Sequence, residues 1–486
     1  MARVGIFLIV VALIAGMIGC VSGPVCTLTV ETTDGGSIAV GDDLIVLETA
    51  IISCNVTVGT VLSLIATAAN GYHFVCWTGD AGTIADVNAA STTITMSGNY
   101  VITANFGPGA SGNGTAGNPY QIADWYDLDN VRNLLTSYFI VINDLDCSSA
   151  GYEELASPTA NGGKGWEPIG YAYWDPPNER WSGSTFTGTF DGCGHEIRDL
   201  FIDRSYEDSV GLFGLVNGGG VIKDTGVVNA NVTGINNSGL SGVGALVGGT
   251  NGTVTSCYAT GNVRGTSGAG GLVGYCSSGT VTNCHANASV TGDWGVGGLV
   301  GDTRVSTVTN CYATGNINGT WGVGGLVGYR YMDSLTNCYA TGSVTGNGHA
   351  GGLVGFTYVG TVTNCYATGN VTGIDSIGGL VGGMHTSTMT NCYATGSVTG
   401  IDSTGGLVGG NYRGTVDSSF WDTQTSGQSA SAGGTGKNTT EMKDIATFSG
   451  ATWNITAVAS PSLCNLSYIW NIVDDVTYPF LSWQPV

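Results

Sequence analysis

Six cysteines are the residues here whose spacing most invites chemistry: Cys257, Cys284, Cys311, Cys338, Cys365 and Cys392 recur every 27 residues. Thiols in register could hold a metal, exchange electrons or pair as disulfides. No Cys-X-X-Cys accompanies them, so the paired ligands of a zinc or redox site are lacking. Placed at one position on successive turns of a stack, their Cβ atoms would stand about 4.8 Å apart. A disulfide spans only about 3.8 Å. The six are therefore read as small buried side chains that pack a narrow structural core. Cys54 and Cys76, further upstream, stay open as a disulfide pair.

Aromatic residues share the period. Tyr258, Tyr312, Tyr339, Tyr366 and Tyr393 form one outward file, with His285 in its second place, and Trp294 and Trp321 stand 27 apart. Exposed rings bind sugars by stacking and are enriched at protein interfaces; the same rows also stabilise a sheet by cross-strand contact. Specificity is expected in the variable segment after each Gly-Leu-Val-Gly, where Tyr275, Arg304, Tyr329, Arg330, Tyr331, Tyr358, His385, Tyr412 and Arg413 would cluster on one edge. The candidate binding residues are Trp294, Trp321, Tyr329, Arg330, Tyr331, Tyr358, Tyr412 and Arg413. Thr253/Thr255, Thr280/Thr282, Thr307/Thr309, Thr361/Thr363 and Thr388/Thr390 would make two outward files that look like those of ice-binding β-helices. Ser334 and Asp417 interrupt them, and threonine is a favoured outward strand residue in any case.

Catalysis finds little to work with. Between Leu246 and Gly410 only eight side chains are charged: Arg264, Arg304, Arg330, Asp293, Asp302, Asp333, Asp375 and Asp402. Lyases and glycoside hydrolases need a concentrated groove of acids and bases. Asp375 and Asp402 could be neighbours but have no partner acid or base, and His195-Glu196 lacks the second histidine of a zinc protease motif. The chain is expected to be no enzyme and to need no cofactor or metal; a β-helical carbohydrate-active enzyme is the alternative.

These side chains are positioned by a repeat. Leu272, Leu299, Leu326, Leu353, Leu380 and Leu407 of Gly-Gly-Leu-Val-Gly keep the 27-residue step, and Leu246 of Gly-Ala-Leu-Val-Gly precedes them. Gly211-Leu212-Phe213-Gly214 is a degenerate first copy, and Ser419 replaces the cysteine in the last. In Thr307-Val308-Thr309 the valine alternates with threonine, as in a half-buried strand. In Cys311-Tyr312-Ala313-Thr314-Gly315-Asn316-Ile317 the small and apolar residues share the inward parity. Val308 and Cys311 differ in parity, so the chain must bend near Asn310, with Gly and Asn expected at the corners. Such a unit cannot bury its own apolar face; stacking copies does.

Composition agrees. The chain has 486 residues, a net charge of −22 and 82 glycines without a Gly-X-Y period. Acidity on this scale makes nucleic acid an unsuitable partner. Residues 1–23 read as a signal peptide or membrane anchor: Arg3, an apolar run from Val4 to Ile18, then Gly19-Cys20. The order is similar to a lipoprotein signal with Cys20 as the lipidated residue, although Met17 stands where leucine is usual. Either form exports the chain, to be membrane-anchored at the cell surface or extracellular, and any membrane contact is through the N-terminus only.

The repeat, Gly-Gly-Leu-Val-Gly followed by Thr-Val-Thr-Asn-Cys-Tyr-Ala-Thr-Gly, resembles the GLUG motif of bacterial and archaeal surface proteins over 211–421. That resemblance implies an all-β fold: a right-handed parallel β-helix of about 27-residue repeats, like those of streptococcal immunoglobulin A proteases and adhesins. Residues 118–210, with Asn118-Pro119-Tyr120-Gln121-Ile122 and the helix-like 124–135, resemble the N-terminal cap and first coils of such a helix. Residues 26–106, with Tyr72-His73-Phe74-Val75-Cys76-Trp77-Thr78-Gly79, resemble the divergent internalin B-repeat, a small mostly-β module. Residues 107–117 are a linker, and 422–486 a C-terminal cap whose aromatics would cover the last turn. The family implies an exported cell-surface adhesion or scaffold protein whose partners are glycans or proteins.

Overall fold

The computed structural model describes residues 25–484 except 34, 42–46, 49–51, 69–71, 88, 109–111, 176–179, 206 and 235–241. The leader with Cys20, and the side chain of Cys54, lie outside the described residues. Among the described residues, no helix is long and apolar enough to cross a membrane. The chain divides into compact units at Asn113/Gly114.

In the first unit, Val25–Thr32 lies between Ile52–Thr57 and Tyr100–Pro108, pairing parallel with the latter, and Tyr72–Gly79 completes that sheet. A second sheet runs Leu47–Glu48, Gly36–Val40, Val61–Ala68, Ser91–Thr95. Leu28, Val30, Leu64, Trp77, Ile94 and Ile102 share one core, and the Trp77 indole N–H donates to the Ala89 carbonyl at 3.0 Å.

The second unit is a parallel β-solenoid of about eight turns. Each turn contributes strands to three stacks: one turn runs Thr307–Thr309, then Tyr312–Ala313 with Ile317–Gly324, then Val327–Tyr331. Partners lie one repeat apart, as in Thr307↔Ser334 and Val327↔Val354. Burial follows the parity of the sequence. Val308, Cys311, Ala313, Ile317, Leu326 and Val327 are at most 2% exposed, so each turn feeds one continuous core.

Two corners bend by different means. Asn283, Asn310, Asn337, Asn364 and Asn391 hold φ of 53–56°, the left-handed conformation that asparagine tolerates. Their amides form a ladder: Asn310 donates to Asn283 at 3.1 Å, and Asn337 to Asn310 at 3.2 Å. At the corner that precedes this one in each turn the expectation of glycine or asparagine fails. Val305, Met332, Val359, Thr386 and Arg413 take φ of 50–59° there. The strands on either side, paired above and below, fix that geometry against a cost of about 1–2 kcal/mol per residue.

Close packing explains the motif's final glycine. A Cβ on Gly328 would stand 2.3 Å from the Val296 backbone nitrogen and 2.4 Å from the Gly295 carbonyl carbon of the preceding turn. No side chain fits in that gap. The cysteine file serves as core in the same manner. The Cys311 thiol donates to the Thr309 carbonyl at 3.2 Å, and the Cys284 amide donates to the Cys311 sulfur at 3.4 Å. Burial pushes the Cys257 thiol well above its usual range, which suppresses thiolate chemistry. At the end of the file, the Ser419 hydroxyl accepts the Cys392 amide at 3.1 Å.

Both ends are closed. Trp125–Asn130 is a helix whose Asp124 carboxylate accepts the Asp127 amide at 2.9 Å, and its Trp125 and Leu128 are buried with Ile122 in the solenoid core. The C-terminal segment does more than cover the last turn. It runs back along the tyrosine file as a strap: Trp453, Trp470 and Leu481 pack with Tyr339, Tyr366, Tyr393 and Phe420. Trp483 reaches Tyr339 and Tyr312, at 5.9 and 6.4 Å between ring centroids. The lower tyrosine file is therefore core rather than binding surface; Tyr393 is 1% exposed.

Candidate functional site

The outer side of the Val327–Tyr331 stack carries two files of side chains, two residues apart and hence on one face. The first reads Tyr275, Asp302, Tyr329, Phe356; the second reads Arg304, Tyr331, Tyr358, His385, Tyr412. Register at the 4.8 Å strand spacing makes the second file a ladder. Tyr331 stacks on Tyr358 at 5.3 Å and 5°, Tyr358 on His385 at 4.5 Å and 20°, and His385 lies 4.6 Å from Tyr412. The Arg413 guanidinium lies 5.0 Å from the centre of the Tyr412 ring.

Trp294 and Trp321 stack at 5.6 Å and 13°. Trp321 meets His349 edge to face at 4.9 Å, His349 lies 4.9 Å from Phe356, and Phe356 stacks on Tyr329 at 5.4 Å. The structure thus brings Trp294, Trp321 and Tyr329 into one aromatic surface through His349 and Phe356. Tyr331, Tyr358, Tyr412 and Arg413 continue it along the same strands.

Arg330 does not belong to it. With Tyr329 and Tyr331 outward, strand alternation turns Arg330 inward, where it is fully buried. One of its amino groups donates to the Thr361 carbonyl at 3.1 Å. Asp333, also buried, accepts from the Thr303 hydroxyl and from the Ser306 amide, the latter at 2.7 Å. Burial raises the Asp333 carboxyl, and the Arg330 charge opposes that rise.

Stacking decides which rings can act. Inside a ladder each ring's faces are covered by its neighbours, so solvent meets edges and hydroxyls, whereas a sugar stacks on a free face. Trp294 has one: its neighbour on the preceding turn is Ser267, and the indole is 58% exposed. Tyr412, at 53% exposure, is the other ladder end, with Arg413 against its ring.

Asp302 is the functional candidate that periodicity hides. It stands in register between Tyr275 and Tyr329, and its Oδ1 has no hydrogen-bond partner among the described residues. Burial pushes its carboxyl up to about 7, with Arg304 opposing and Asp333 adding to the rise. Nε of Arg304 is likewise unpartnered, and its guanidinium lies 5.8 Å from the Tyr275 ring centre. The available signal is an acid that stands one repeat from a tyrosine on either side.

A raised carboxyl has a definite pH signature. Between about pH 4 and 7 the folded chain holds this proton more tightly than the unfolded chain, so Asp302's contribution to stability falls as pH rises through that window. We expect Asp302→Asn to match the native chain in denaturant unfolding at pH 4 and to exceed it at pH 8. The gain is about 2 kcal/mol after allowance for solvent at a partly exposed group. Equal stability of the two chains at pH 8 would remove the burial cost.

Fold and surface together define a parallel β-solenoid repeat protein with an aromatic outer edge. Its repeats are GLUG motifs, matched at 292–318, 319–345, 346–372 and 375–399, and residues 26–110 are a divergent InlB B-repeat domain. The chain is 38% identical to halomucin of Haloquadratum walsbyi over 167 residues, which are 34% of this chain and 2% of halomucin. It is 34% identical over 141 residues to a protein of Evansella cellulosilytica described as a Gly-rich membrane protein, covering 29% of this chain and 14% of that one. The chain thus spans a small part of either relative. An immunoglobulin A1 protease candidate from Bacteroides ovatus, with a solved structure, is 22% identical with a TM-score of 0.41, covering 63% of this chain and 86% of that one.

Proposed function

We propose that the protein is an exported cell-surface adhesion or scaffold protein that uses its solenoid to bind glycans or proteins. One observation carries this: an aromatic surface continuous over several turns, with exposed Trp294 and Tyr412 at its ends, on a backbone paired on both sides. Rigid aromatic surface loses little entropy on binding. The relatives' names, halomucin and Gly-rich membrane protein, support a surface location. The sparse charge of the turns supports binding over catalysis, since acid–base chemistry needs positioned titratable pairs.

The test is adhesion of the purified full chain to cells and to immobilised glycans and proteins, beside polysaccharide cleavage assays. Saturable binding that falls at least tenfold in a Trp294→Ala/Tyr412→Ala chain is expected. Cleavage of a polysaccharide without stable binding would overturn the reading in favour of a β-helical carbohydrate-active enzyme.

A further inference from the structure

The geometry points to a glycan-binding trough on this solenoid that takes an uncharged oligosaccharide along the stacking axis, with Trp294 as its platform and Asp302 as its hydroxyl acceptor. The inference rests on the surface-binding reading above.

Its floor is made by glycine. At the corner between the tryptophan row and the Tyr275–Asp302–Tyr329 file, successive turns place Gly268, Gly295, Gly322 and then His349, all with positive φ. A Cβ on Gly295 would meet nothing closer than 3.6 Å, with Asp302 Cβ at 3.7 Å; one on Gly322 would stand 3.9 Å from Tyr329 Cβ. His349, Ser376 and Ser403 adopt the same backbone conformation with side chains, at the modest strain a non-glycine residue bears there, so packing does not exclude a side chain at Gly295 or Gly322. The three glycine turns leave a bare strip about 10 Å long across two strand spacings. At the fourth turn the imidazole of His349 fills the strip against Trp321 and Phe356 and closes its end.

The walls supply what a sugar needs. Trp294 offers an indole face above Ser267. Opposite, Asp302 Oδ1 and Arg304 Nε are buried without hydrogen-bond partners among the described residues, an acceptor and a donor that a pair of sugar hydroxyls would satisfy. Their opposite charges set the ligand class. A sialic or uronic acid would place its carboxylate against Asp302 on a chain of net charge −22, and an amino sugar would meet Arg304. An uncharged sugar accepts from one and donates to the other.

The experiment exposes the full chain to an array of neutral, sialylated, uronic and amino oligosaccharides, with affinities followed by tryptophan fluorescence. Variants are Trp294→Ala, Asp302→Asn and Gly322→His, which copies His349 into the open strip, with Leu466→Ala, an exposed residue of the C-terminal segment, as a control outside it. Neutral glycans should bind. Each of the three trough variants should weaken them at least tenfold, at an unchanged unfolding midpoint for Trp294→Ala, a raised one for Asp302→Asn and a slightly lowered one for Gly322→His, whose backbone is left-handed; Leu466→Ala should not. If glycans bind but the trough variants retain full affinity, the trough is wrong and the surface reading stands. Preference for sialylated, uronic or amino sugars overturns the ligand class. Binding of proteins but no glycan overturns the inference alone, and failure to bind cells, proteins and glycans overturns both.

Discussion

Arg330→Thr is expected to cost about 3–5 kcal/mol of stability, and adding Asp333→Ser to the same chain should return most of it. Arg330 is fully buried in the solenoid interior, and Nε and one of its amino groups have no hydrogen-bond partner among the described residues. Removing it leaves the Asp333 carboxylate buried without the charge that holds its pKa down. The neighbouring turns show what these places accept when uncharged: Thr303 and Thr357 align with Arg330, and Ser306 aligns with Asp333. The double variant therefore restores the local sequence of an ordinary turn, in line with the general finding that interacting buried charges are replaceable together but not by halves. Denaturant unfolding of the native chain, the two single variants and the double variant closes the cycle. Additive losses would show that the two charges do not interact. The single variant Arg330→Thr should also lose more stability at pH 8 than at pH 5, because the orphaned carboxyl is pushed up further and its ionisation is resisted over a wider range.

Much of the solenoid was legible because its information is periodic. A 27-residue step in Cys311, Leu326 and the Val308 column gives the turn length, and parity within Cys311–Ile317 gives the inward face. The same parity rule, applied to Tyr329-Arg330-Tyr331, already places Arg330 on the opposite side from its neighbours; grouping the three by chemistry concealed that. What periodicity leaves dark are features that occur once. Asp302 interrupts an aromatic column, His349 ends a row of glycines, and the strap that covers Tyr339, Tyr366 and Tyr393 comes from a segment outside the repeat. The positive φ at Val305 and Val359 was illegible for another reason: local propensity argues against it, and pairing on both sides of the corner overrides propensity.

The strap supplies the second large effect. Trp470→Ala is expected to cost about 3–5 kcal/mol, and the loss should be uneven along the solenoid. Trp470 is fully buried, 6.0 and 5.9 Å from the ring centres of Tyr366 and Tyr393 and 4.8 Å from that of Trp453. Its strand, Trp470–Ile472, pairs with both Ile455–Ala457 and Phe480–Leu481, so the indole anchors the whole segment. Beyond it, Gln484 accepts the Tyr366 hydroxyl at 2.8 Å, and Tyr478 donates to the buried Asp422 at 2.7 Å. In a stack where each turn touches only its neighbours, stability is a sum of turn and interface contributions, and an end that loses its cover frays first. Amide hydrogen exchange should therefore accelerate over 339–421 and the strap, while 213–300, which the strap does not reach, keeps its protection. Loss confined to the final turn would reduce the strap to an end cap, and uniform loss would mean that the solenoid unfolds as one cooperative unit. Binding at Trp294 separates these outcomes functionally. That indole lies on the turn of Cys311's predecessor, Cys284, upstream of the strap-covered tyrosines, so a frayed end leaves its affinity intact and a cooperative collapse abolishes it.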